Sequence, residues 1–323
     1  MRNFTSVNDV ENLDALVKSA LELKNNPYAY STLGKNKTLG LIFLNPSLRT
    51  RLSTQKAAIN LGMTVMIMNM DKEGWALETQ EGVIMNHNTV EHIKEAAAVM
   101  GEYCDIIGIR AFPKLVDREE DYTEDFFKKF IKYAGVPIIS LESATLHPLQ
   151  SFADALTIEE QKKSDAKLAG RKPKVVLTWA PHIKSLPQAV ANSFAEWMVN
   201  ADVDFVVTHP HGYELDKKFT KNTPVIYDQD QALKDADFIY VKNWSSYSDY
   251  GKVLSVDSNW MITNKKLELT NKAKVMHCLP VRRGIELADE VLDSNNSLVI
   301  QQASNRVWSC QAVIKKLLED NFK

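Results

Sequence analysis

Leu39-Gly-Leu-Ile-Phe-Leu-Asn-Pro-Ser-Leu-Arg-Thr-Arg51 passes from an unbroken apolar run into a polar turn and then into helix-forming residues. Leu39 to Asn45 reads as a buried strand, because an apolar run without polar alternation suits a parallel sheet covered on both faces. Asn45-Pro-Ser breaks it, and Leu48 to about Leu61 reads as a helix. The same alternation continues downstream. Thr64–Asn69, Asp105–Arg110 and Val136–Ser140 read as strands. Between them, Thr89 to Met100 reads as a helix with Asn88 as N-cap and Glu91 completing a capping box. Phe126, Phe127, Phe130, Ile131 and Ala134 fall at helical spacing, with Gly135 as the stop.

The alternation restarts after the Lys-rich stretch 161–174. Lys174–Trp179, Phe205–Thr208, Val225–Tyr227, Phe238–Val241 and Val275–Leu279 are strand-like. Two runs of β-α alternation predict an α/β protein of two parallel-sheet domains. His147 to Glu160 reads as a helix joining them, and Asn305 to Leu318 as a terminal helix.

The 323 residues fit about two domains at roughly 150 residues each. Thirty-nine basic against 41 acidic residues give a net charge of −2, which excludes a strongly basic nucleic-acid binder. No apolar run approaches the ~20 residues of a membrane helix. Met1 to Val10 is polar and lacks a signal peptide's apolar region, so the expectation is a cytoplasmic, soluble protein. Cys104, Cys278 and Cys310 are widely spaced, and predict neither a disulfide framework nor a metal site.

Four segments carry candidate chemistry. Ser47-Leu-Arg49-Thr50-Arg51 sits where a strand turns into a helix. Backbone N–H groups, the helix dipole, two hydroxyls and two guanidiniums there suit a phosphate. The other reading is a Ser47 cap with solvated arginines. Arg110 ends a strand, where parallel sheets bind ligands, or else it snorkels to solvent. His147-Pro-Leu-Gln150 puts a donor and an acceptor on one helical face, or else holds a structural histidine. In His277-Cys-Leu-Pro280 the proline biases Leu279 toward an extended conformation and leaves its carbonyl as an acceptor. Nothing identifies a base for Cys278, which reads as a small buried hydrophobe.

In this order and spacing the four segments resemble the transcarbamylase (aspartate/ornithine carbamoyltransferase) family over essentially the whole chain. His277-Cys-Leu-Pro280 points to its ornithine side. The Asp-x-x-x-Ser-Met-Gly loop that holds a free amino-acid head group is missing, and Val241-Lys-Asn-Trp-Ser-Ser-Tyr247 stands there. Trp75, Trp179-Ala-Pro-His182, Lys242-Asn-Trp244 and Arg282-Arg283 resemble the N-acylornithine branch instead. An acylated α-amine is neutral, so an acidic residue aimed at it has no partner.

The resemblance implies a carbamoyl-phosphate domain over residues 1–146, with helix 305–323 packing back on it, and an acylornithine domain over 147–304. It implies Ser47, Leu48, Arg49 and Thr50 on the phosphate, with Trp75 supplied by a neighbouring subunit. Arg110, His147 and Arg306 would polarise the carbonyl oxygen. Gln150 and the Leu279 carbonyl would hold the carbamoyl amide. Glu142, placed just after the fourth strand, would meet the attacking amine. Trp179, His182, Lys242, Cys278 and Arg282 would line the acylornithine site, with Cys278 near the chemistry. No metal or organic cofactor is implied, and the family forms trimers with shared sites.

The acyl group is read from Val90. Family members acting on acetylornithine resemble one another in carrying Glu at that position. An apolar residue goes with succinylornithine, whose extra carboxylate a glutamate would repel. The expectation is transfer of a carbamoyl group to N-succinyl-L-ornithine in arginine biosynthesis, with acetylornithine as the alternative. A non-catalytic carbamoyl-phosphate-binding subunit would have lost Arg110, His147, Gln150 and Arg306, all present here. A dehydrogenase would need a glycine fingerprint that is absent.

Overall fold

Strand β1 (Thr38–Phe43) is buried along nearly its whole length and sits inside a parallel sheet. The computed structural model describes residues 1–70 and 72–322. They form two compact units. Unit 1 holds Met1–Lys114, Glu119–Leu149 and the chain from Arg306 onward; unit 2 holds Leu115–Arg118 and Gln150–Asn305.

In unit 1, β1 is joined by β2 (Thr64–Asn69), a short pair β3 (Leu77–Glu78) and β4 (Glu91–His92), β5 (Ile106–Arg110) and β6 (Ile138–Glu142). The main sheet has the order β2-β1-β5-β6, all parallel. Helices α1 (Leu13–Asn25), α2 (Leu48–Asn60), α3 (Ile93–Tyr103) and α4 (Asp125–Tyr133) belong to this unit. Ile42, Ile93, Ile107, Ile109, Phe127, Phe130 and Ile138 form one buried cluster between sheet and helices. Each such side chain contributes roughly 1.5–3 kcal/mol. Gly101 permits close helix packing, since a Cβ there would lie 1.9 Å from the Ala134 carbonyl oxygen.

Helix α5 (Pro148–Ser164) begins in unit 1 and continues in unit 2. Unit 2 then adds β7 (Lys174–Trp179), α6 (Ala189–Met198), β8 (Asp204–Thr208), β9 (Phe238–Lys242) and β10 (Lys274–Met276). Its parallel sheet has the order β10-β9-β7-β8. Val176, Ile239, Val241, Val275, Leu287 and Val291 lie in its core. Helix α7 (Val299–Asn321) starts in unit 2 and ends in unit 1.

The two-sheet α/β class holds, but several elements shift. The third helix starts at Ile93, not at Thr89. Residues 90–92 are taken by the β3–β4 ladder, where the Val90 N–H reaches Ala76 O at 3.0 Å, and His92 caps the helix in place of Asn88. The fourth strand begins at Ile138 because Pro137 has no N–H for the ladder, so Glu142 lies within the strand rather than after it. Val225–Tyr227 forms only an isolated bridge to β8, hemmed between Pro224 and the Asp228 cap of the next helix. The last strand stops at Met276. The terminal helix begins at Val299, so Asn305 and Arg306 lie inside it. The Asn305 amide donates to Thr157 Oγ1 at 2.9 Å and Glu160 Oε2 at 2.8 Å.

Candidate active site

Ser47 caps α2, its hydroxyl accepting from the Thr50 N–H at 3.3 Å. Thr50 is buried, and its hydroxyl accepts from Arg306 Nη2 at 2.8 Å. The terminal helix thus returns a guanidinium to the turn after β1. Leu48 is exposed and Arg49 partly buried beside it. Arg51 turns away, its guanidinium donating to Asn69 Oδ1 at 3.4 Å.

Arg110, at the end of β5, donates to Glu142 Oε2 and lies 4.4 Å from the centre of the Phe112 ring. Glu142 Oε2 is also 3.3 Å from His147 Nε2. Arg306 Nη1 approaches that same nitrogen at 3.5 Å. Burial pushes the His147 pKa well below its usual range, and the charges of Arg306, Arg110 and Arg49 push it further down. His147 is therefore neutral at pH 7. Three guanidiniums and the Glu142 carboxylate thus gather around this ring. The buried Arg110 Nε and His147 Nδ1 find no hydrogen-bond partner among the described residues.

Trp75 and Val90 share an arm built on the β3–β4 pair. Trp75 is 55% exposed and Val90 66% exposed. The Trp75 indole N–H donates to Glu91 Oε2 at 2.9 Å.

In unit 2, His182 Nε2 accepts from Arg282 Nε at 3.0 Å, so His182 Nδ1 carries the proton, 2.9 Å from the Lys184 carbonyl. Lys242 ends β9, largely buried. His277 Nδ1 accepts from the Leu279 N–H at 2.9 Å, which places its proton on Nε2, 3.2 Å from Glu286 Oε1. Glu286 Oε2 takes the Arg282 backbone N–H at 2.8 Å. Burial raises the Glu286 pKa, but the hydrogen bond and charge of His277, the charge of Lys242 and the Arg282 N–H outweigh it and leave it at about 2. Gln150 Nε2 donates to Asp154 Oδ1 at 2.7 Å.

Two expectations change, at Leu279 and Trp179, and Cys278 is buried as expected. Leu279 is not extended: its φ is +57°, and the Leu279–Pro280 peptide is cis. The local turn closes on the His277 ring, which a strand could not do. Trp179 presents no surface to a ligand. It is fully buried, with its indole N–H given to the Trp244 carbonyl at 3.0 Å and its ring against Tyr213 and Trp260. Cys278 packs beside the buried Tyr240 phenol, whose pKa burial drives well above its usual range, so that phenol supplies no base. Asp154 and Glu286 were not singled out from sequence, where nothing separates a buried carboxylate from a surface one.

Two family models match the chain: the aspartate/ornithine carbamoyltransferase carbamoyl-P binding domain over residues 2–160, and the Asp/Orn binding domain over 187–317. The chain belongs to the aspartate/ornithine carbamoyltransferase family. An N-succinylornithine carbamoyltransferase of Bacteroides fragilis (strain 638R) is 52% identical over 322 residues, covering 99% of each chain. An N-acetylornithine carbamoyltransferase of Xanthomonas campestris pv. campestris is 35% identical, covering 95% of this chain and 94% of that one. A solved N-acetyl-L-ornithine transcarbamylase, with one glutamate replaced by valine and complexed with carbamyl phosphate and N-succinyl-L-norvaline, superimposes with a TM-score of 0.92. It is 34% identical and covers 98% of this chain and 100% of that one. In this carbamoyltransferase the motifs quoted from the sequence sort by unit. The arginine cluster and the Trp75–Val90 arm belong to unit 1, and the His182–Arg282 and His277–Glu286 pairs to unit 2.

Proposed function

We propose that the chain transfers the carbamoyl group of carbamoyl phosphate to the side-chain amine of N-succinyl-L-ornithine, giving N-succinyl-L-citrulline and phosphate. The observation that carries the reaction class is the unit 1 cluster. Arg49, Arg110 and Arg306 lie around neutral His147, with Glu142 beside it, which suits a dianionic phosphate leaving group. The neutral amine attacks the carbonyl carbon, a C–N bond forms, an oxyanion develops, and the C–O bond to phosphate breaks as the amine proton passes to the departing phosphate. Ser47, the Leu48 N–H, Arg49 and Thr50 hold the phosphate. Arg110, His147 and Arg306 stabilise the oxyanion, and such groups supply most of the acceleration when the leaving group is already activated. Gln150 and the Leu279 carbonyl hold the amide.

Succinyl over acetyl is favoured by Val90, an exposed apolar side chain next to Trp75, and by the 52% identity to enzymes named for succinylornithine against 35% for those named for acetylornithine. The solved glutamate-to-valine variant with its N-succinyl ligand supports the same choice. His182, Lys242 and Arg282 bind the carboxylates. The setting is a cytoplasmic step of arginine biosynthesis, in a homotrimer where Trp75 completes a neighbour's site. Exposed Leu52, Ile59, Met66 and Met68 on unit 1 suit such an interface. Mixing Arg49→Ala with Trp75→Ala subunits restores activity if sites are shared; no rescue after confirmed exchange overturns that sharing.

A citrulline colour assay with carbamoyl phosphate and, in turn, ornithine, N-acetylornithine and N-succinylornithine tests the reading. Product only with N-succinylornithine is expected. A preference for N-acetylornithine selects the second reading, and no product with any acceptor overturns both.

A further inference from the structure

Helix α5 sets Gln150 and Asp154 one turn apart, both buried. Gln150 Nε2 donates to Asp154 Oδ1 at 2.7 Å, and Gln302 Nε2 donates to the same oxygen at 2.7 Å. Gln302 Oε1 accepts from the His277 N–H at 2.9 Å, and the His277 ring accepts from the Leu279 N–H at 2.9 Å. A hydrogen-bonded path therefore runs from Gln150 through one carboxylate to the turn that carries the Leu279 carbonyl. All its members up to His277 are no more than 1% exposed.

A carboxylate only accepts. Each amide that bonds it must present nitrogen, and the amide oxygen then points to the opposite side. Gln302 shows the consequence, with its oxygen on the His277 N–H. The same rule turns the Gln150 oxygen away from Asp154.

We propose that Asp154 is a positioning residue that makes the protein select a carbamoyl group over an acetyl group, by fixing Gln150 as an acceptor and holding the Leu279 turn in register with it. The proposal rests on the carbamoyl-transfer reading above. A carbamoyl NH2 offers two donors to the Gln150 oxygen and the Leu279 carbonyl. An acetyl methyl offers none and leaves both acceptors unmet, and sites built on such hydrogen bonds reject the analogue strongly.

The test is Asp154→Leu, measured by kcat/KM for carbamoyl phosphate and by the inhibition constant of acetyl phosphate. Leucine has nearly the shape of aspartate but accepts no hydrogen bond, so both amides lose the oxygen they share and nothing keeps the Gln150 N–H2 turned inward. Use of carbamoyl phosphate falls about 10- to 100-fold, while acetyl phosphate binding stays within about threefold. A merely structural role would weaken both together, and that result overturns the proposal. Asp154→Asn keeps one oxygen where the two amides meet, so it holds the wild-type ratio to within about threefold, and a ratio that falls as far as in Asp154→Leu overturns the proposal. If Asp154→Leu does not fold, Gln302→Leu cuts the path between Asp154 and the His277 N–H and lowers the same ratio, and an unaltered ratio there overturns the proposal. Wild type inactive with carbamoyl phosphate overturns the function reading beneath this one, whereas active wild type with an unaltered ratio in Asp154→Leu overturns the role of Asp154 alone.

Discussion

Unit 1 gathers three guanidiniums about a neutral histidine, with the Glu142 carboxylate between Arg110 and His147, and among the described residues the buried Arg110 Nε has no partner. In unit 2 the polar groups of the site bond one another. Arg282 is bonded to His182 and Glu286, His277 to Leu279 and Glu286, Gln150 to Asp154. The first arrangement gains from an anion to meet, because like charges at short range repel. The second is built on neutral and paired groups. Its hydrogen bonds fix ring tautomers and amide orientations, so it recognises by shape and by donor pattern. Removing one cation from unit 1 should therefore cost binding and rate more than stability, and removing one partner in unit 2 should do the reverse.

The largest effect is expected at Arg49. Arg49→Ala removes a charge-assisted contact to the departing phosphate and should lower kcat/KM by about 10²–10³-fold. Its melting temperature should hold or rise, since the variant relieves crowding of positive charge around His147. Steady-state kinetics with wild-type turnover would remove Arg49 from the site, and a large loss of stability would break the contrast between the units.

Val90→Glu comes next. A full charge pair at about 4 Å would be worth roughly 4 kcal/mol at an effective dielectric near 20, but Val90 is 66% exposed and solvent screens it. The ratio of kcat/KM for N-succinylornithine to that for N-acetylornithine should fall about 10- to 100-fold. An unchanged ratio would keep the substrate and discard the role given to Val90.

Glu286→Gln probes the paired unit. The carboxyl titrates at about 2 when folded, below its ordinary 4.5. A depressed folded pKa gives stability that is full above pH 4.5 and lost as the pH falls toward 2. Calorimetry should find the variant less stable by about 2–3 kcal/mol at pH 7, with the gap to wild type closing between pH 4.5 and 2. A gap independent of pH would show that shape rather than charge is what Glu286 supplies.

The unit 1 site is the more legible of the two from sequence because its parts are local. An apolar strand, Pro46 and the Ser47 cap announce the turn before any packing is known. What escapes is decided by distant chain. The start of α3 is moved by the pairing of Glu91–His92 with Leu77–Glu78, and no local pattern reports that ladder. Arg306 meets Thr50 across 256 positions of chain, a pairing that no local pattern reports. In unit 2 the decisive carboxylates, Asp154 and Glu286, differ from surface acids only by burial. Trp179 fails as a ligand contact for the same reason.

Trp179 gives the smallest and sharpest test. Its indole is sealed among Tyr213, Trp244 and Trp260, with the N–H spent on the Trp244 carbonyl. Phenylalanine would keep an aromatic face but leave that carbonyl unmet and some volume empty. An unsatisfied buried acceptor costs about 1–3 kcal/mol, and the lost ring atoms add a similar or smaller amount. For a unit of this size each kcal/mol lowers the melting temperature by roughly 2–4 °C, so a drop of about 5–10 °C is expected. The Michaelis constant for the acylornithine and kcat should both stay within about twofold, because no ligand reaches the ring and Lys242, one strand end away, keeps its place on β9. The measurement pairs a thermal melt with saturation kinetics at a temperature well below both transitions. A Michaelis constant raised tenfold at preserved stability would mean that the aromatic cluster opens to the substrate, and unit 2 would then share with unit 1 the habit of completing itself only when a ligand arrives.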